Sequence, residues 1–237
     1  MRDSDLEHLG GTIALVGAGE YLPPMEDVDR GLLARVDEPR VVCLPTAAGT
    51  EGTERLAYWA NLGMTHFQQL GVPVSSLDVI DRATAHDEAH TAQVREANFV
   101  YLSGGKPAYL VETLTGTPVW EAILDVLARG GVVAGCSAGA MIFGAKVPRL
   151  PPPPIWVESF GILPDAVIVP HFDEMGGMLA QLMHWVLGSG YTMLGIDGNT
   201  ALVCASSTYT VAGHGGVTVW SAHKKVRYVD GDAVDWP

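Results

Sequence analysis

Short, wholly apolar runs alternate along this chain with longer segments whose apolar positions recur every three or four residues. The short runs predict strands at 12–16, 40–44, 74–80, 98–102, 131–134 and 166–169. Between them, helical patterning covers about 25–37, 53–70, 86–97, 107–114 and 118–129, with a further helix near 174–187. Strands separated by helices of this length require right-handed crossovers, so the expected core is a doubly wound, mostly parallel α/β sheet of the flavodoxin-like kind. Beyond residue 190 the pattern shortens to β-prone stretches at 192–196, 201–204, 208–211 and 217–220, which read as antiparallel hairpins on the C-terminal edge of the sheet. The pattern shows neither repeat nor linker. Residues 1–237 are therefore expected to form a single domain, with 1–11 a flexible N-terminal segment.

The turns richest in small and polar residues all follow strands. They are Gly17-Ala18-Gly19-Glu20, 45–49, Ser103-Gly104-Gly105, Gly135-Cys136-Ser137-Ala138-Gly139 and Pro170-His171-Phe172-Asp173. In an open parallel sheet the carboxyl ends of the strands share one rim, where ligands bind. Distant glycines, a serine and a histidine are thus expected to converge on one cleft.

Within that set, Ser137 sits between two glycines where an apolar strand runs into an apolar helix. This is the sequence of a nucleophile elbow. The sharp turn needs small residues two before and two after the serine, and it presents the hydroxyl at a helix N-terminus that favours negative charge. A serine nucleophile needs a base. Of the eight histidines, His171 alone follows an apolar strand onto the rim, so it is the candidate base. The N–H of Ala138, next after the serine, is one candidate oxyanion donor, and the Gly104-Gly105 turn can bring a second. His86 and His90, four apart, are too few to hold a metal and read as a solvated helical face.

Composition narrows the partners. Hydrophobic residues make up 48% and charged residues 17%, as in a compact globular enzyme. A net charge of −13 argues against nucleic acid and anionic membranes. No apolar run approaches the roughly 18 residues that span a bilayer. The polar start Met1-Arg2-Asp3-Ser4-Asp5 lacks a signal-peptide core, so the expected location is the cytoplasm. Cys43, Cys136 and Cys204 lie in strand-like segments without paired spacing and are expected to be buried thiols.

These residues resemble the peptidase E and cyanophycinase family of serine peptidases. The likeness rests on Gly-Cys-Ser-Ala-Gly-Ala at 135–140, Gly104-Gly105, Leu163-Pro164 and Val169-Pro170-His171-Phe172. Gly17-Ala18-Gly19-Glu20, Leu44-Pro45-Thr46-Ala47 and Gly195-Ile196-Asp197 through Leu202 extend it over roughly residues 12–205. The resemblance implies a class I glutamine-amidotransferase-like fold. It also implies Ser137 as nucleophile, His171 as base, and Gly105 with Ala138 as oxyanion donors. Cys136, one position early, is not the nucleophile. The reaction implied is hydrolysis of small peptides through an acyl-enzyme, with no metal or organic cofactor.

The chain also departs from that family. Lys106-Pro107 stands where members carry Asn or Asp after the glycine pair, and no carboxylate lies in 148–154, where the family's acid is expected. The nearest acids are Glu158, Asp165 and Asp173, of which Glu158 is the candidate to orient His171. Gly104, Lys106, Glu20 and Asp173 are the candidate substrate contacts. From Phe172 to Leu187 there is no Arg or Lys, which argues against specificity for an acidic side chain unless Lys106 or Arg149 compensates. Pro148 with Pro151 to Pro154 reads as a rigid rim loop or a polyproline lid. Met175, Met178, Met183 and Trp185 read as core or subunit contact, which admits a homodimer. Two further readings are a catalytically impaired relative that binds a ligand or partner, and an esterase or amidase acting on non-peptide substrates.

Overall fold

The computed structural model describes residues 10–149, 155–206 and 208–235. The leading segment 1–9 and most of the proline run, 150–154, lie outside the described residues. In chain order the elements are β1 (Thr12–Val16), α1 (Glu26–Leu33), β2 (Val41–Leu44), α2 (Thr53–Gln69), β3 (Val74–Ser76), α3 (Glu88–Glu96) and β4 (Phe99–Leu102). There follow α4 (Pro107–Leu114), α5 (Pro118–Ala128), β5 (Val132–Cys136), α6 (Ala138–Met141), β6 (Lys146–Arg149), β7 (Ile155–Glu158) and β8 (Ala166–Pro170). The chain continues with α7 (Gly177–Leu187), β9 (Thr192–Ile196), β10 (Thr200–Ala205), β11 (Thr208–Gly213), β12 (Gly216–Trp220) and β13 (Lys225–Val229).

The central sheet runs in the order β11-β10-β1-β5-β4-β2-β3. Its β1, β5, β4, β2 and β3 are parallel, and β10 and β11 join antiparallel at one edge. The inner parallel strands β1, β5, β4 and β2 are buried along their whole length because both faces are covered, whereas the edge strand β3 is half-buried and carries Ser75 and Ser76. Along β1, Ile13 and Leu15 enter one core with α4 and α5, while Ala14 and Val16 enter the other with α1 and α2. Several helices begin where local chemistry starts them. Asp87 accepts the Ala89 and His90 N–H groups ahead of α3, and Thr117 accepts the Trp120 N–H ahead of α5, which has Pro118 in its first turn.

The α/β class and the mostly parallel sheet agree with the alternation in the sequence. The placement of β8 differs. It is not a sixth strand of the central sheet but the edge of a second, four-stranded sheet ordered β13-β12-β9-β8, where it runs parallel to β9. The chain changes sheets at Asp197–Asn199: Asp197 N–H donates to Gly216 O, and Asn199 N–H donates to Ala18 O. Buried apolar strands of five residues look alike whichever sheet takes them, so the pattern did not separate β8 and β9 from the central sheet. The ribbon β6–β7 and the strand β13 were also not expected. Pro148 pairs with Trp156 in that ribbon, so the described ends of the proline segment are β-paired.

Candidate active site

Ser137 leaves β5 with φ 51° and ψ −112°, a conformation that non-glycine residues rarely adopt, and α6 begins at the next residue. The tightness of this turn explains its glycines. A Cβ at Gly135 would overlap the Gly139 carbonyl oxygen, and one at Gly139 would overlap that of Leu102. The turn is held from behind by Ser137 N–H donating to Val16 O at 2.9 Å, and by Ala140 and Met141 N–H donating to Ser137 O at 3.0 Å.

His171 arrives from the other sheet. It follows β8, whose last residue pairs with Ile196, and Phe172 N–H donates to Ile196 O. The Phe172 ring lies against Gly195, where a side chain would collide with it. His171 has φ 147°, and its Nε2 lies 2.7 Å from Ser137 Oγ. The two sheets therefore meet at a serine–histidine hydrogen bond.

The loops after β1 and β4 close the back of this pair. Glu20 is buried, and both its carboxylate oxygens accept bonds: Oε1 from Gly104 N–H at 3.0 Å and Oε2 from the Cys136 thiol at 2.8 Å. Beside it, buried Tyr21 shares a 3.0 Å hydrogen bond with Ser103. Glu20, expected to touch substrate, thus faces inward and joins the Gly104 turn to the residue before Ser137. Burial, followed by the neighbouring Glu20 carboxylate, pushes the Cys136 thiol well above its ordinary value. Cys136 is accordingly a buried thiol donor, as Cys43 and Cys204 are buried thiols whose values burial pushes up to about 12.

Gly104 abuts Ser137: a Cβ there would lie 3.3 Å from the serine Cβ. Gly105 has φ 146°, and a Cβ on it would meet the Ala47 carbonyl at 2.5 Å, so only glycine fits this turn. Lys106 N–H is taken by Ala47 O at 2.9 Å. Among the described residues, the N–H groups of Gly105 and Ala138 have no acceptor.

From Gly105 a cleft of about 460 Å³ runs along Thr50, Lys106, Pro107, Tyr109, Glu112, Pro148 and Arg149. Lys106 Nζ donates to Thr50 Oγ1 at 2.8 Å and has no carboxylate partner among the described residues. Arg149 pairs with Glu112. The three candidate acids do not reach the His171 ring. Glu158 is exposed on β7 opposite Lys146. Asp165 precedes β8 whereas His171 follows it, which separates them by roughly 16–20 Å of extended chain. Asp173 Oδ1 accepts Gly198 N–H at 2.8 Å, fastening the turn after β8 to the turn after β9. Among the described residues no carboxylate hydrogen-bonds His171.

Sequence reasoning missed one polar pair here. Buried Asp197 accepts from Gly216 N–H at 2.9 Å and from the Arg227 guanidinium at 2.5 Å, and holds the sheet-switching turn. Its sequence signals were an aspartate directly after an apolar strand and its place in the Gly195-Ile196-Asp197 stretch of the family resemblance, and neither points to Arg227 as its partner.

A strained serine turn, a histidine on its hydroxyl and a mostly parallel α/β sheet behind them thus meet at one rim. The model of peptidase family S51 matches residues 13–212. The chain belongs to peptidase family S51. It resembles the crystal structure of a peptidase from an acI-B1 Actinobacterium, with a TM-score of 0.86 and 32% identity over 95% of this chain and 97% of that one. A putative peptidase E protein from Listeria monocytogenes shares the fold, with a TM-score of 0.65 and 18% identity over 86% of this chain and 98% of that one. In sequence, an uncharacterized peptidase of Listeria monocytogenes is 31% identical over 57% of this chain. Cyanophycinase of Geminocystis herdmanii is 28% identical over 72% of it. The chain spans 60% and 63% of those two relatives' lengths. Among the described residues no helix is long and apolar enough to cross a membrane.

Proposed function

We propose that the chain is a serine hydrolase that cleaves small peptides. In this reading the strand-to-helix turn is a nucleophile elbow, and the 2.7 Å contact between Ser137 Oγ and His171 Nε2 carries the proposal. Ser137 Oγ attacks the scissile carbonyl while His171 Nε2 takes its proton. The Gly105 and Ala138 N–H groups then stabilise the oxyanion, and His171 returns the proton to the leaving amine. Water, deprotonated by His171, releases the acyl group. Two features favour small peptides: the cleft of about 460 Å³ lies in the range of small-molecule sites, and Lys106 offers an ammonium to a peptide carboxylate.

One observation favours a second reading, a relative that binds but does not cleave. The His171 ring has no carboxylate partner among the described residues, and losing that partner lowers kcat on the order of 10⁴-fold in triad enzymes. A fluorophosphonate probe separates the two readings. Under the hydrolase reading the wild type is labelled on Ser137, Ser137→Ala is not labelled, and His171→Ala is labelled far more slowly. Labelling of the wild type no faster than Ser137→Ala would overturn it.

A further inference from the structure

His171 reaches Ser137 from a different sheet, and among the described residues no carboxylate bonds its ring. Its backbone is strained as well, with φ 147°. Strain of that kind persists only where the surroundings fix the residue from several sides. Backbone bonds do part of this. Phe172 N–H donates to Ile196 O at 3.2 Å, Glu174 N–H to His171 O at 3.2 Å, and Met175 N–H to Phe172 O at 3.3 Å. The first ties the turn to its own sheet, and the other two lie within the turn. None of them reaches the central sheet, which carries Ser137.

One side chain makes that connection. Asp173 Oδ1 accepts the Gly198 N–H at 2.8 Å, and a Cβ on Gly198 would stand 3.6 and 3.8 Å from the two Asp173 oxygens. Apart from His171 itself, Asp173 is the one side chain of 171–175 with a hydrogen-bond partner among the described residues. From Gly198 the path into the central sheet is unbroken. Gly198 bridges Ala18, Asn199 N–H donates to Ala18 O, Gly17 N–H donates to Thr200 O, and Ser137 N–H donates to Val16 O. Gly198 is also held from behind, because Asp197 before it is clamped by Gly216 N–H and Arg227. The Asp197 hydrogen bond raises the Arg227 guanidinium above its ordinary value and the Asp173 charge adds to this, so one cation stands near both carboxylates. We infer that Asp173 is the positioning residue for His171: by accepting the Gly198 N–H it fixes the turn 171–175 against the central sheet, and so sets the imidazole on the Ser137 hydroxyl. A hydrogen bond to a charged acceptor is roughly twice as strong as a neutral one, which suits an exposed side chain to this task.

This role rests on the hydrolase reading, so one arm of its test needs no reaction. In the first arm, fluorophosphonate labelling of Ser137 is timed at a temperature where circular dichroism shows every variant folded. Asp173→Ala is expected to label on the order of 10²-fold more slowly than wild type, the cost of a misplaced reacting group. Asp173→Asn keeps an oxygen for the Gly198 N–H and is expected within about threefold of wild type, as is Glu174→Ala at the exposed neighbouring position. In the second arm the His171 imidazole is observed by nitrogen NMR, its signals assigned by their loss in His171→Gln. Ser137→Ala supplies the signals of a ring without its serine. Asp173→Ala is expected to move toward that position, and Asp173→Asn to stay with wild type. If wild type is not labelled, the hydrolase reading fails and the signals alone decide the positioning. An Asp173→Ala protein that keeps the wild-type signals would overturn the role, whatever its labelling. So would Asp173→Asn failing as badly as alanine, because the charge and not the hydrogen bond would then be acting.

Discussion

Replacing Glu20 with alanine tests whether the loop after β1 braces the site. In the folded chain its two oxygens serve two donors, Gly104 N–H at 3.0 Å and the Cys136 thiol at 2.8 Å, in a setting where Glu20 itself is only 6% exposed. Alanine removes both acceptors. A buried N–H left without a partner costs about 1–3 kcal/mol. The weaker thiol donor and the vacated side-chain volume bring the expected loss to about 2–4 kcal/mol. For a chain of this size that lowers Tm by roughly 4–16 °C. Glu20→Gln keeps one acceptor oxygen, and the thiol can rotate to accept from the new amide, so its loss is expected to be less than half as large. The measurement is urea and thermal unfolding by circular dichroism, paired with fluorophosphonate labelling well below Tm. Because Gly104 lies against Ser137 and Cys136 precedes it, Glu20→Ala is expected to slow labelling even where the protein is fully folded. An alanine variant within about 0.5 kcal/mol of wild type, the ordinary range of surface changes, would refute the bracing role.

Other outcomes follow from the same geometry. Gly139→Ala drives a methyl group into the Leu102 carbonyl, which belongs to a central strand and has little room to yield; a loss of about 1–3 kcal/mol or more is expected, read by chemical denaturation, together with loss of labelling. Asp87→Ala removes the cap of α3. The His90 and Ala89 N–H bonds hold the Asp87 carboxyl below its ordinary value, so its stabilisation is present above that value and is lost as pH falls through the lowered one. The Tm gap between wild type and variant is therefore expected to stay constant from pH 5 to 8 and to close only below about pH 4, the ordinary aspartate range. A gap that widens on acidification contradicts the assignment.

Much of the site was legible because its causes are local. Gly135 and Gly139 are needed by the backbone of the turn that contains them, and that requirement is written in their spacing from Ser137. The apolar runs that became β1, β2, β4 and β5 were readable for a similar reason, since strands covered on both faces must be apolar throughout. His171 was reachable through its position after an apolar strand, although that strand lies in another sheet. The role of Glu20 was not legible, because its partners are 84 and 116 residues away. Glu158 is the acid nearest in sequence, but the antiparallel pairing of β6 with β7 sets it opposite Lys146 and exposed.

By itself, then, the sequence determined the α/β alternation, the serine turn and the set of rim loops. Each of these follows from steric and hydrophobic requirements that act within a few residues. Only the tertiary structure decided that β8 and β9 form a second sheet, that this sheet brings His171 to within 2.7 Å of Ser137, and that α7 shows an apolar face to the outside. Strand partners, long-range hydrogen bonds and exposure depend on which distant surfaces meet. Apolar periodicity states that a face must be covered, and it does not name what covers it.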